Sequence, residues 1–189
     1  MPHLSRRPFV FLRHAQSTRN QERRIGGQHD VPLTLRGEDE ARRAQALVGD
    51  LDWSLAVSSP LARARHTAEL ALGRAPDRLV EGLMERHWGD LEGQPIPTAI
   101  PYTDTPPNGE AWEAFVSRIA TTLNALLDEA DTPLVVGHSG LVRAVRWLTS
   151  GSPTGPRSAN AIPLWIAPTA GDRWEIRDFT AADRARLGG

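Results

Sequence analysis

The chain of 189 residues contains no cysteine and no lysine, so all 22 of its positively charged residues are arginine. The absence of cysteine excludes disulfides, thiolate nucleophiles, thiolate–zinc sites and iron–sulfur clusters. The absence of lysine excludes a Walker P-loop lysine and Schiff-base catalysis. Any anion that binds here must therefore be held by guanidinium groups, backbone N–H groups or histidine.

The chain also lacks a strong net charge and a long hydrophobic run. Its formal net charge is −1, so no basic field favours nucleic acid or an anionic membrane as a partner. The apolar run Phe9 to Leu12 is too short for a signal peptide, and no run approaches the length of a membrane span. We therefore expect a cytoplasmic protein that binds neither membranes nor nucleic acid.

Hydrophobic patterns predict an alternation of strands and helices in one domain, residues 1–189. Apolar runs predict strands near 8–12, 54–58, 133–137, 162–167 and 173–178. Helical patterns predict helices over 34–50, 59–72, 109–130 and 140–149, the first capped by Thr34 and the second by Ser59 with Pro60 as its first residue. This order predicts an α/β fold, a three-layer α/β/α sandwich with a mostly parallel sheet. Residues 94–107 are rich in proline and predict a loop within a small lid insertion at about 86–110.

Residues suited to phosphate chemistry follow three of the predicted strands. Arg13-His14 follows the first strand, and Gly137-His138-Ser139-Gly140 follows the strand at 133–136. Arg63 lies in the first turn of a predicted helix, beside backbone N–H groups that favour anions. Ligands of such sheets bind at the carboxyl ends of strands, so these side chains are expected to face one crevice. A fourth segment, residues 84–93, places Glu85 in a loop rich in aromatic residues and glycine.

Together these segments resemble the histidine phosphatase superfamily, also called the phosphoglycerate mutase-like family. The resemblance spans residues 9–148, with the motifs in order and at matching spacings. The matching segments are Arg13-His14-Ala15 with Asn20, residues 25–34, Ser58 to Leu61 with Arg63, residues 85–93, residues 107–110 and Val136 to Gly140.

The resemblance implies a role for each of these residues. His14 would attack phosphorus and form a phosphohistidine, while Arg13, Arg63, His138 and Asn20 would hold the phosphoryl oxygens. Glu85 would protonate the leaving oxygen and then activate the water that cleaves the phosphohistidine. No metal and no cofactor are required. The predicted phosphate and substrate contacts are Asn20, Ser139, Gln16, Gly26, Gly27, Arg86 and His87.

Two residues depart from the family pattern. Ala15 replaces the usual glycine, and Gln16 stands where glutamate is frequent. The methyl group of Ala15 is harmless if its backbone φ is negative, which we expect, and damaging if φ must be positive.

The same residues can be compared with three other classes of function. Gly137 to Gly140 resembles a serine-hydrolase elbow, but position 141 is leucine and no histidine follows His138. The histidines contain no closely spaced metal-ligand pair. A catalytically silent phosphoester-binding module stays open as a further class.

Within the family, the sequence favours a phosphatase over a mutase. The segment from Gly93 to Pro107 is short for a mutase lid, and the lysine with which mutases hold the substrate carboxylate is absent. We therefore predict a metal-independent phosphomonoesterase, of the histidine acid phosphatase type, acting on a small phosphorylated metabolite; phosphoglycerate mutase-type transfer is the alternative. A sugar phosphate, a phosphoserine-like amino acid and α-ribazole phosphate all stay open as substrates. The apolar C-terminal strands would allow a homodimer.

Overall fold

A computed structural model describes residues 2–98 and 102–188. The strands are β1 (Phe9–Arg13), β2 (Ala56–Ser58), β3 (Arg78–Leu79), β4 (Leu134–Gly137), β5 (Pro163–Pro168) and β6 (Trp174–Asp178). The helices are α1 (Thr18–Gln21), α2 (Leu35–Val48), α3 (Ala62–Leu72), α4 (Trp112–Glu129), α5 (Ser139–Ser150) and α6 (Ala181–Leu187), with single 3₁₀ turns at Glu81–Leu83 and Gly89–Leu91.

The strands form a single sheet in the order β3-β2-β4-β1-β5-β6. The first four strands of the chain pair in parallel, whereas β5 is antiparallel to both β1 and β6. The predicted α/β fold with a mostly parallel sheet is therefore confirmed, with β5 as the antiparallel exception.

The sheet is covered on both faces, as the burial of β1 shows. Phe9 and Phe11 pack on one face in a core shared with α4 and α5. Val10 and Leu12 pack on the other face in a core shared with α2 and α3. Fully burying a large apolar side chain contributes about 1.5–3 kcal/mol relative to exposure. A strand buried on both faces reads as a continuous apolar run, which is why β1 is easy to predict.

The start of α3 differs from the prediction. The helix begins at Ala62 with Leu61 in the capping position, so the prediction that Ser59 caps the helix and Pro60 opens it is wrong. The hydroxyl of Ser59 lies 2.8 Å from His138 Nε2 instead. The same hydroxyl accepts from Leu61 N at 3.4 Å, ahead of the helix, so it does not cap the N–H groups of α3 itself.

Three short elements were not predicted. β3 has two exposed residues and no apolar pattern. In both α1 and α6 the side chains of the capping residue and of the third helical residue bond each other's backbone N–H, Ser17 with Asn20 and Thr180 with Asp183. The Thr180–Asp183 spacing is a sequence signal for the start of a helix that could have been recognised.

Candidate active site

Strand register brings the three motif-bearing strand ends together. Arg13 pairs with Gly137 across β1 and β4, and Ser58 pairs with Val136 across β2 and β4. The backbone N–H of His14 donates to the Gly137 carbonyl at 2.9 Å. The residues that follow these strands therefore lie side by side at the carboxyl edge of the sheet.

His14 is held as a neutral imidazole with one nitrogen available. It is 5% exposed, and its Nδ1 lies 2.8 Å from the carbonyl oxygen of Ala15. Because a carbonyl oxygen only accepts, Nδ1–H donates this bond and Nε2 keeps its lone pair. Burial, followed by the charges of Arg63 and Arg13, holds the pKa of His14 well below its ordinary value. A neutral ring with an open nitrogen is what nucleophilic attack requires.

The two arginines beside His14 are fixed by backbone carbonyls. Arg13 donates through one terminal nitrogen to Ser158 O at 2.7 Å, and Arg63 donates to His29 O at 2.8 Å and to Gly27 O at 2.6 Å. Each side chain is almost completely buried. Burial and the neighbouring charge of Arg157 lower the pKa of Arg13 to about 10. Each guanidinium has five N–H groups, so donors remain for an anion after these bonds are made.

His138 lies directly beside His14, with the two ring centroids 5.2 Å apart. Its Nε2 is 2.8 Å from the Ser59 hydroxyl. The ring is fully buried, and Nδ1 has no hydrogen-bond partner within the described part of the chain. Burial, together with the charge of Arg63, holds the pKa of His138 well below its ordinary value.

Glu85 presents its carboxylate to the same cavity at the N-terminus of α5. Its two oxygens accept from the backbone N–H of Arg86 at 2.9 Å and of Gly140 at 3.1 Å, and Ser139 Oγ donates at 3.4 Å. A Cβ atom at position 140 would lie 2.0 Å from Glu85 Oε1. Glycine at position 140 is therefore what makes room for this carboxylate.

Glu92 has a different position from Glu85, although both are carboxylates of the same loop. It accepts from the backbone N–H groups of Gln28, His29 and Trp88 at 2.9–3.0 Å. Its side chain is 4% exposed, beneath the turn at Gly27, where φ is +52° and a Cβ would lie 2.1 Å from Glu92 Oε1. Glu92 thus ties the loop around Gly27 to the segment around Trp88.

Asn160 connects Asn20 to the backbone of the nucleophile. Its amide Nδ2 donates to His14 O at 2.8 Å and to Asn20 Oδ1 at 3.2 Å. Asn20 Oδ1 also accepts from Ser17 N at 3.2 Å. Two donors on one oxygen fix the orientation of the Asn20 amide, and its NH₂ group is left to face an anion.

Most of these groups line a cavity of about 140 Å³, whereas His138, Glu92 and Asn160 are not among the residues that line it. Its polar end is lined by Arg13, His14, Asn20, Arg63, Glu85 and Ser139. The lining also contains larger apolar and aromatic side chains, namely Trp88, Ile96, Tyr102, Trp112 and Phe115. A phosphoryl group can thus bind to the charged side chains, and a leaving group can contact the apolar and aromatic ones.

The remaining predicted contacts divide into two groups. Gly26, Gly27 and Arg86 line the cavity, but Gln16 and His87 do not. The Gln16 side chain accepts from Thr34 Oγ1 at 2.8 Å, and the His87 side chain is 45% exposed. Neither side chain is thus brought to the cavity that the structure describes.

Arg86 has a different environment from that expected of a substrate contact. It is 1% exposed and donates to the carbonyls of Glu110, Tyr102 and Asp104. Its guanidinium carbon lies 4.8 Å from the Trp88 ring centroid. These bonds connect the first residue of the lid to residues 102–110 at its C-terminal end.

The backbone at Ala15 is as expected. Ala15 is not among the residues with positive φ, and its side chain is fully buried in the core that packs on α2 and α3. The methyl group therefore causes no backbone strain at the nucleophile.

Sequence reasoning missed several residues of the site. Asn160, Arg143 and Arg157 lie near the C-terminal end of the chain and belong to no motif. Ser59 is predicted as a helix cap and Glu92 lies in the matching segment 85–93, but neither is predicted to have a role in the site. No short-range signal identifies Asn160, because the groups that it contacts lie 140 and 146 residues away.

The sequence profile of the histidine phosphatase superfamily (branch 1) matches residues 9–164. The chain belongs to this superfamily. The structural neighbours agree: the crystal structure of TTHB049 from Thermus thermophilus superposes with a TM-score of 0.73 at 32% identity, covering 92% of this chain and 99% of that one.

Relatives in the superfamily include both phosphatases and mutases. The uncharacterized phosphatase PhoE of Bacillus subtilis (strain 168) is 30% identical over 178 residues, which is 89% of this chain and 92% of PhoE. The 2,3-bisphosphoglycerate-dependent phosphoglycerate mutase 2 of Gloeobacter violaceus is 33% identical over 163 residues, 72% of this chain and 73% of the mutase. Membership thus establishes a phosphatase- or mutase-like protein.

Two further features concern residues 2–98 and 102–188. No helix there is long and apolar enough to cross a membrane. No group of three or more histidine, aspartate or glutamate side chains there is arranged to hold a metal ion.

Proposed function

We propose that this protein is a metal-independent phosphomonoesterase that hydrolyses a small phosphorylated metabolite through a phosphohistidine on His14. The observation that carries the proposal is the state of His14: a buried neutral imidazole, with Nδ1 bonded to Ala15 O and Nε2 available, between two fixed arginines. Membership of the superfamily supports the same reaction class.

The first half-reaction transfers the phosphoryl group to the protein. Nε2 of His14 forms a bond to phosphorus while the bond from phosphorus to the leaving oxygen breaks. Arg13, Arg63 and the Asn20 amide stabilise charge on the phosphoryl oxygens. Glu85, protonated for this step, gives its proton to the leaving oxygen.

The second half-reaction returns His14 to its starting state. Glu85, now a carboxylate, accepts a proton from water as the water oxygen attacks phosphorus and the P–N bond breaks. Inorganic phosphate leaves, and Glu85 is again protonated. The bonds from Arg86 N and Gly140 N hold the carboxylate in one orientation for both steps.

A phosphoglycerate mutase activity is the second candidate, because mutases are among the relatives at 31–33% identity. A mutase must keep its bisphosphate intermediate bound and exclude water from the phosphohistidine. The short segment from Gly93 to Pro107 and the absence of lysine favour hydrolysis instead.

The test is p-nitrophenyl phosphate hydrolysis in EDTA, with 3-phosphoglycerate conversion followed in parallel. We expect wild type to release phosphate without metal and His14→Ala to be inactive while it remains folded. Isomerisation of 3-phosphoglycerate without phosphate release would support the mutase. Binding of phosphate without turnover of any phosphoester would support a silent binding module.

A further inference from the structure

The cavity carries more positive charge than the transfer of one phosphoryl group uses. Its arginines are Arg13, Arg24, Arg63, Arg86, Arg143 and Arg157. Among residues 2–98 and 102–188, Glu85 is the one carboxylate that lines it. Positive charges that are brought together away from bulk water repel one another, and a bound anion relieves that repulsion.

Four of these arginines have an identified use. Arg13 and Arg63 flank His14 at the phosphoryl end. Arg86 is fully engaged with carbonyls of the lid. Arg24 donates to Gly93 O at 2.7 Å and lies 3.8 Å from a carboxylate oxygen of Glu22.

The other two arginines have donors to spare. Arg143 lies over Tyr102, with its guanidinium carbon 3.8 Å from the ring centroid, and donates one bond to Pro153 O at 3.2 Å. Stacking holds the guanidinium plane in position and leaves its other N–H groups available. The Arg157 side chain makes no hydrogen bond or ion pair to the part of the chain that the structure describes, although it lines the cavity.

Both charges act on the phosphoryl end of the cavity. Arg157 contributes more than any other charge to the lowered pKa of Arg13, and Arg143 lowers it as well. Arg143 lies on α5 and Arg157 on the loop that follows it, and both line the same cavity as Arg13 and His14.

We propose that Arg143 and Arg157 form a second anion subsite, and that the substrate is a phosphomonoester whose leaving group carries a second acidic group, a carboxylate or a phosphate. This inference rests on the proposed function, because the first subsite holds the transferred phosphoryl group. Guanidinium groups bind either acid through paired N–H donors.

Matched substrates test the subsite directly. sn-Glycerol 1-phosphate and 3-phospho-D-glycerate have the same configuration at C2 and differ in one position, which is a hydroxymethyl group in the first and a carboxylate in the second. Fructose 6-phosphate and fructose 1,6-bisphosphate make the same comparison for a second phosphate. We expect kcat/KM to be higher for the doubly acidic member of at least one pair, and which pair responds identifies the second acid.

The decisive variant is Arg157→Gln, because this exposed side chain holds no other part of the described structure. We expect it to lower kcat/KM for the preferred doubly acidic substrate by about tenfold, as for the loss of one charge-assisted hydrogen bond. The value for its singly acidic partner should stay within about twofold. Arg143→Gln should act in the same direction, and Arg173→Gln, an exposed arginine outside the cavity, serves as the control for net charge.

Two results would overturn the subsite. If Arg157→Gln lowered kcat/KM equally for both members of a pair, Arg157 would act on the transferred phosphoryl group instead. If it lowered kcat/KM for neither member, Arg157 would have no role in binding. Calorimetric binding of the same four compounds to His14→Asn separates the inference from the proposed function. If wild type released no phosphate, but His14→Asn bound a doubly acidic compound more tightly and Arg157→Gln abolished that preference, the subsite would be retained. The same result would reject the phosphatase.

Discussion

Two regions that face the same cavity are built in different ways. The phosphoryl floor consists of Arg13, His14 and Arg63, which line the cavity, and His138, which is buried beside His14. Its residues follow buried strands or open a helix, and strand register aligns its parts. The lid (residues 86–110) contains no strand and one 3₁₀ turn within the residues described, and its form depends on Arg86 and Glu92 bonding backbone groups. We expect changes in the floor to alter the chemical step, and changes in the lid to alter substrate affinity and local stability.

The largest expected effect is that of His14→Ala in the floor. Loss of the nucleophile should lower kcat by about 10⁴-fold or more, because no other group can form the covalent intermediate. Steady-state phosphate release measures kcat, and thermal unfolding checks that the variant is folded. A variant that kept more than a tenth of the wild-type rate would contradict the role of His14.

Glu85 and Glu92, the two glutamates of residues 84–93, should differ sharply. Glu85→Gln removes the proton donor and should lower kcat by about 10²–10³-fold with little change in the melting temperature. Glu92→Gln weakens three backbone hydrogen bonds and should mainly lower the melting temperature. Asp90→Asn, a change at a nearby residue outside the cavity, is the control. Equal losses of kcat in the two glutamate variants would remove the distinction between them.

Asn160 tests whether the floor depends on the orientation of the Asn20 amide. Asn160→Ala removes donors to His14 O and Asn20 Oδ1 and should lower kcat by about tenfold. Asn160→Asp should lower it further, because it places a carboxylate against two oxygen acceptors. Kinetics of both variants are compared with Asn124→Ala, a control that removes a part-buried asparagine bonded to the N-terminal segment, away from the cavity. An aspartate variant as active as wild type would show that this contact has no catalytic role.

Arg86→Met tests the lid without touching the floor. It keeps much of the apolar bulk between Trp88 and Trp112 but removes the bonds to the carbonyls of Tyr102, Asp104 and Glu110. We expect KM to rise by about tenfold with kcat reduced less, and hydrogen exchange to increase in the described parts of the lid. Arg42→Met on the surface of α2 is the control. A fall in kcat with KM unchanged would mean that Arg86 acts on the chemistry.

The smallest effect is a dependence of stability on pH that comes from the floor alone. The folded-state pKa values of His14 and His138 lie below those of the unfolded chain, so the unfolded state binds more protons as pH falls. Stability should therefore be lost as pH decreases through about 6.5, by about 1 kcal/mol per histidine by pH 5.5. Urea unfolding at pH 7.5 and 5.5 measures this loss, which should be smaller in His14→Asn.

Most of the floor was predictable from sequence, for a physical reason. Apolar strands buried on both faces are recognisable, and parallel strands end at the same sheet edge, so Arg13, His14 and His138 could be brought together before the structure was known. Arg63 followed from the same rule, although its helix begins two residues later than predicted.

The residues that position the floor and the lid could not be predicted from strand patterns or sheet topology. Arg86 was predicted to bind substrate, but sequence does not reveal that three carbonyls would take its donors. Asn160 and Arg157 lie in irregular segments whose position depends on the packing of the whole domain. Glu85 and Glu92 accept hydrogen bonds from different backbone N–H groups. Neither the charge of a loop carboxylate nor its spacing in the sequence predicts which N–H groups will donate to it.

The most direct test of the account is to trap the phosphorylated protein. Glu85→Gln should slow both half-reactions. This variant is mixed with p-nitrophenyl phosphate in EDTA and quenched with alkali, and peptide mass spectrometry then identifies the modified residue. We predict one phosphoryl group on His14, absent from His14→Ala and lost with time once the substrate has been removed. Turnover by wild type with no phosphorylated histidine in either protein, or with the phosphoryl group on another residue, would contradict the account.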